Sequence, residues 1–291
     1  MQEKSILSFD GTRIVYQKGG ASDAPWIVVA NGYGGTFCAW DEIFAVLKRH
    51  YRLLLWDYRG LFRSATPTDR TRLHIEDHCQ DLDRIMEAEG ITTMVLAGWS
   101  VGVQVVLEQY RRRPEAVRAL ILINGAHGRV LHRSVDGRLA GWVLPAAVSL
   151  VGRVAPVLGP LLLPGLRRLA ASPLTLPAAS FAGVVHGQPP SFHEAAQGVL
   201  SLNYATYARM VLYADEHDAE AVLPQILVPT LITAGDHDRI TPLRVSRFQA
   251  SQIPDAAYFE LPQGTHYSVM EFPHLMANRM HSFIRDKLGH S

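Results

Sequence analysis

Two hydrophobic rhythms alternate along this chain. Residues 26–30, 52–56, 94–97 and 119–123 are short, evenly apolar runs and read as strands buried on both faces. Between them, 38–49, 75–89 and 101–113 repeat apolar residues at helical spacing, the second closing at Gly90 and the third before Pro114. Upstream, 6–9 and 13–17 form an expected hairpin turned by Asp10 and Gly11. The rhythm resumes with a strand at 228–234, a helix at 243–252, a strand at 257–261 and a closing helix at 270–288. Strand following helix throughout implies parallel pairing in one central sheet.

The interruption divides the chain into a first core segment, 1–128, an inserted helical cap, 129–223, and a second core segment, 224–291. The inserted segment is rich in Pro, Gly, Leu and Ala, with little β-branched alternation. Within it, 139–163 approaches the roughly 20 apolar residues of a membrane span. Arg153 lies in its middle and Pro145, Pro156 and Pro160 interrupt it, so short cap helices are expected. A peripheral contact with a membrane interface through the cap is also compatible with this composition.

Composition narrows the function classes. Apolar residues make up 48% and charged residues 19% of the 291, enough for a large buried sheet. Net charge is +1, which gives no general attraction for nucleic acid. The basic cluster Arg111 to Arg113 falls where a helix ends and complements its dipole. Cys38 and Cys79 have neither metal-knuckle nor redox-pair spacing, and the first eight residues carry Glu3 and Lys4 without an apolar signal core. Ordinary thiols and a cytoplasmic location are expected; oligomeric state is not legible.

The candidate chemistry begins at Gly98, Trp99, Ser100, Val101 and Gly102, between an expected strand and an expected helix. That G-x-S-x-G spacing suits a tight turn that exposes the serine, because small residues on either side let the helix pack close. A hydroxyl needs a base within hydrogen-bond reach and a group that orients the base. Two later loops leave strand ends on the same sheet edge: Gly235, Asp236, His237, Asp238, Arg239, and Pro262, Gln263, Gly264, Thr265, His266. Asp236 and Asp238 both remain candidates for the acid on this reading. Adjacent His237 and Asp238 point different ways in a loop, so no metal site is expected.

With these motifs the chain resembles the α/β-hydrolase superfamily, in its branch of capped serine esterases, lactonases and cofactor-free haloperoxidase-like enzymes. Asp57, Tyr58, Arg59, Gly60 and Ser64 are similar to the family's D-x-R-G turn. Gly235, Asp238, Arg239 and Pro242 resemble its acid loop, and Gly264, Thr265 and His266, followed by Glu271 and Pro273, its histidine loop. Asn31 to Gly35 stands where the family usually has His-Gly-x-x-Gly, with Asn31 replacing the histidine; Val103 replaces a common Gly or Ala.

The resemblance implies Ser100 as nucleophile, His266 as base and Asp238 as acid, with backbone N–H groups of Tyr33 and Val101 forming an oxyanion hole. Some members take the acid from the end of the sixth strand, where this chain has Asn124, which is no carboxylate. Trp99, Trp142 and His127 are candidate pocket residues, with Trp40 nearby. His50, His74 and His78 are expected near helix ends or on solvent faces, without a role. No metal or cofactor is expected. The expected activity is cleavage of an apolar or medium-chain ester or a lactone through an acyl-enzyme. A thioesterase, a carbon–carbon hydrolase and a non-catalytic small-ligand receptor are the alternatives.

Overall fold

The computed structural model describes residues 1–134 and 140–289. Its eight strands form one sheet: β1 Gln2–Leu7, β2 Arg13–Gly20, β3 Trp26–Ala30, β4 Arg52–Trp56, β5 Met94–Trp99, β6 Val117–Ile123, β7 Thr230–Gly235 and β8 Ala256–Leu261. The helices are α1 Asp41–Leu47, α2 Ile75–Glu89, α3 Gly102–Arg112, α4 Val130–Ser134, α5 Ala140–Ala170, α6 Thr175–Phe181, α7 Phe192–Leu200, α8 Tyr204–Glu216, α9 Leu243–Gln252, α10 Ser268–Glu271 and α11 Pro273–Leu288. Strand order is β1-β2-β4-β3-β5-β6-β7-β8. β2 runs antiparallel to β1 and β4, and the remaining pairs are parallel.

Period-two alternation explains why both sheet faces are buried. In β3, Val28 and Ala30 join the core beneath α2 and α3, whereas Ile27 and Val29 join the core beneath α1 and α11. Leu54 and Trp56 oppose Leu53 and Leu55 in the same way. α2 ends at Gly90, whose φ of 64° provides the left-handed stop expected of a glycine.

Several boundaries depart from expectation. The hairpin ladder ends at the Leu7–Arg13 pair, so Ser8 and Phe9 belong to the turn, closed by Ser8 N–H donating to the Thr12 carbonyl at 2.8 Å. Pro273 splits the expected closing helix because it favours a first helical position, leaving α10 as a separate short turn. The expected helix at 38–49 begins as a 3₁₀ turn over Phe37–Trp40.

The largest correction is α5. One 31-residue helix runs through Pro145, Pro156, Pro160 and Pro164 in place of short Pro-broken pieces. Three of these prolines are spaced by four, so their missing N–H groups fall along one side and the other hydrogen-bond rows continue. Small residues recur on its inner stripe, at Gly152, Ala155 and Gly159: a side chain on Gly152 would approach the Ala208 side chain of α8 to 2.8 Å.

Candidate active site

Ser100 sits between β5 and α3 with φ 58°, a left-handed conformation costly for a side-chain-bearing residue. The turn is held because Ser100 N–H donates to Ile123 in β6 and the Val103 N–H donates to Ser100. Its two glycines are steric requirements. A Cβ on Gly102 would lie 2.0 Å from the Ala30 carbonyl oxygen, and one on Gly98 would lie 2.5 Å from that of Gly102. The sequence spacing therefore corresponds to close contact between α3 and the end of β3.

Residues from three strand ends converge there. His266 Nε2 is 2.8 Å from Ser100 Oγ, and His266 Nδ1 is 2.9 Å from Asp238 Oδ2. Asp238 is buried, whereas Asp236 is exposed, which distinguishes the two aspartates of that loop. Burial pushes the Asp238 carboxyl upward, but His266, Thr241 and Asn124 together hold it below the ordinary carboxylate range. Thr241 Oγ1 donates at 2.6 Å and Asn124 Nδ2 at 2.8 Å to Asp238 Oδ2; the Ile240 and Thr241 N–H groups reach Oδ1 at 2.8 Å. An ionised acid and a hydroxyl on opposite nitrogens of one imidazole can pass a proton from the serine and stabilise the resulting cation.

Asn124 also donates to the Thr265 carbonyl at 3.1 Å and accepts from Ser268 Oγ at 2.6 Å. It thus links the acid to both sides of the His266 loop, a role the sequence reading missed. The signal was present as a polar residue ending an otherwise apolar strand beside Gly125. Glu271 forms another tie, accepting from Thr265 N–H at 2.8 Å and from His186 N–H at 2.7 Å.

Asn31, which stands in place of the family's histidine, holds the loop after β3. Its Nδ2 donates to Gly35 at 2.7 Å and its Oδ1 accepts from Gly32 N–H and Trp40 Nε1, both at 3.0 Å. Trp40 is therefore a buried loop anchor, not a pocket wall. Gly32, Tyr33 and Gly34 line a cavity of about 250 Å³ with Ser100, Val101 and His266. Val130 and Leu131 of α4, Val199 of α7, and Tyr207 and Val211 of α8 roof it. Asp215 tethers that roof by accepting from Leu131 N–H at 2.8 Å. A second cavity of about 290 Å³, walled by Val184, Phe192, Ala195 and Leu200, shares Trp99, Val199 and Tyr267 with the first.

Trp99 lines both cavities, and its Nε1 donates to the His266 carbonyl at 2.8 Å, so it also ties down the His266 loop. The side chain of Trp142 lies outside the described residues. His127 lines neither of these cavities: it is buried, and its ring tilts against Phe248 with centroids 5.3 Å apart. Burial and nearby Arg133 lower its pKa to about 4. His127, Asp218 and Glu220 gather polar atoms, but Arg133 reaches Asp218 at 3.2 Å and Glu220 at 2.8 Å, satisfying both carboxylates as ion pairs.

His78 is fully buried, contrary to the expected solvent face. α2 presents it to the sheet side, where Nε2 meets Tyr33 Oη at 3.0 Å and desolvation drives its pKa well below normal. This hydrogen bond between the imidazole and the Tyr33 hydroxyl helps fix the loop whose backbone borders Ser100. His74 stacks on Tyr213 of α8 at 3.7 Å, and His50 stacks on His281 at 4.5 Å.

A crossing order of a parallel sheet, an elbow serine and a strand-end histidine and aspartate define a hydrolase class. The chain belongs to the α/β-hydrolase fold family, whose model matches residues 25–273. It is a hydrolytic enzyme of that family. Among curated proteins it is 28% identical over 244 residues to RutD of Klebsiella pneumoniae strain 342, provisionally named a carbamate hydrolase, covering 84% of this chain and 85% of that protein. Among solved structures, an enol-lactonase from Burkholderia xenovorans LB400 matches with TM-score 0.76 and 23% identity over 97% of this chain and 99% of that one. A thermophilic esterase from Thermogutta terrifontis matches with TM-score 0.78 and 20% identity over all of both chains.

Proposed function

We propose that the protein is a serine hydrolase that cleaves a carboxylic ester or lactone bearing an apolar acyl group. The observation that carries this reading is the contact chain Ser100–His266–Asp238 opening into an apolar, roofed cavity. Ser100 Oγ attacks the carbonyl carbon while its proton moves to His266 Nε2. The oxyanion is received by the backbone N–H groups of Tyr33 and Val101, which border the cavity beside Ser100. As the intermediate collapses, His266 returns that proton to the departing alkoxide and leaves an acyl-enzyme. Water then attacks the acyl carbon, gives its proton to His266, and releases the acid as Ser100 is reprotonated. Asp238 remains ionised and stabilises the imidazolium throughout.

The relatives' names include a carbamate hydrolase, an esterase and an enol-lactonase. The Val, Leu and Tyr walls favour an apolar ester over a small polar carbamate, because burying an unpaired polar group there costs roughly 1–3 kcal/mol. The test is turnover of activated esters of graded acyl length, with fluorophosphonate labelling of the serine. Ser100→Ala is expected to abolish labelling and lower kcat by about 10⁴-fold or more. Unlabelled wild-type protein without turnover on any chain length would leave a ligand receptor as the better account.

A further inference from the structure

The outer surface of α5 has no partner within the described protein. Leu150, Val157 and Leu161 form one exposed row and Val151, Leu158 and Leu162 the next, with Leu161 77% and Val157 72% exposed. At helical spacing the first row lies opposite the partly covered stripe of Gly152, Ala155, Gly159 and Leu163, and the second lies between them, about 100° round from the first. Farther along, Phe181 at the end of α6 is 98% exposed. Soluble monomers rarely leave contiguous apolar surface on this scale uncovered.

Charge selects the occupant. From Gly137 to His193 the chain contains no aspartate or glutamate. Arg153, Arg167 and Arg168 of α5 are exposed. An apolar face with exposed cations and no anions complements an anionic phospholipid surface, where aliphatic side chains enter the acyl boundary and guanidinium groups meet headgroup phosphates. The segment Val143–Ala170 is long and apolar enough to cross a membrane, yet α5 packs along α8 through its small-residue stripe. Contact with α8 on one side and open apolar rows on the other match a helix lying along the interface.

We propose that the outward face of α5 docks the cap in plane on an anionic lipid bilayer. This docking is independent of the reaction at Ser100. It is tested by flotation of the full-length protein with phosphatidylcholine vesicles, with and without phosphatidylglycerol. Wild type is expected to float with the anionic vesicles and less with neutral ones. Leu150→Glu/Val157→Glu/Leu161→Glu should lower the bound fraction roughly tenfold or more, with circular dichroism unchanged. Arg153→Gln/Arg168→Gln should selectively reduce binding to anionic vesicles. An environment-sensitive dye on Val157→Cys should shift to the blue on vesicle addition, a readout retained if the triple variant misfolds. Absence of wild-type flotation, or no dye shift, overturns the proposal. So does a glutamate-sensitive dimer that ignores vesicles, which would identify a second copy as the cover.

Discussion

Asn124 provides a sensitive test of how the buried acid is held. Its Nδ2 is one of the side-chain donors on Asp238 Oδ2, at 2.8 Å, and its other contacts reach Thr265 and Ser268 on either side of His266. A hydrogen bond to a charged group contributes about 1.5–3 kcal/mol. If that contribution is needed chiefly when His266 becomes cationic, its loss appears in kcat, by roughly tenfold to a hundredfold, with KM nearly constant. Asn124 has φ 44°, so Asn124→Ala adds left-handed backbone strain of about 1–2 kcal/mol. Asn124→Gly loses the same side-chain contacts without that strain and separates the two effects. The assay is steady-state hydrolysis of an activated ester, paired with thermal melting. Both variants should show the kcat loss, and the alanine variant should melt lower. A glycine variant with kcat within about twofold of wild type would refute the positioning argument and leave Asn124 as a structural residue.

Other consequences lie away from the serine. Arg59 is fully buried and donates to Asp81 at 2.6 and 2.9 Å and to Asp10 at 2.9 Å. Asp81→Ala should cost about 3–5 kcal/mol in urea unfolding, while Arg59→Met/Asp81→Leu should cost less; equal losses would refute the uncompensated-charge explanation. Burial raises the pKa of Asp57 from 3.8 to about 7. Between these values the unfolded chain ionises first, so the folded state loses stability as pH rises, by up to about 4 kcal/mol from this group. Asp57→Asn should reduce the stability difference between pH 5 and pH 8 in denaturant titrations; an unchanged difference would exclude Asp57 as its source.

Local periodicity already contained much of the fold. Even apolar runs identified the central strands because both their faces are buried, and the glycines around Ser100 revealed the elbow because close backbone approach leaves no room for Cβ. The serine loop, aspartate loop and histidine loop were visible as strand-end segments. Tertiary packing decided matters that no short window contains. It buried Asp238 and left Asp236 in solvent, turned His127 toward Phe248, and placed His78 against Tyr33. It also carried α5 through four prolines against α8 and assigned Asn124 to the acid and the base loop together. Sequence determines the rhythm of elements through neighbouring residues, whereas which polar side chains meet depends on contacts between residues distant along the chain, from the 45 positions separating Tyr33 from His78 to the 114 separating Asn124 from Asp238.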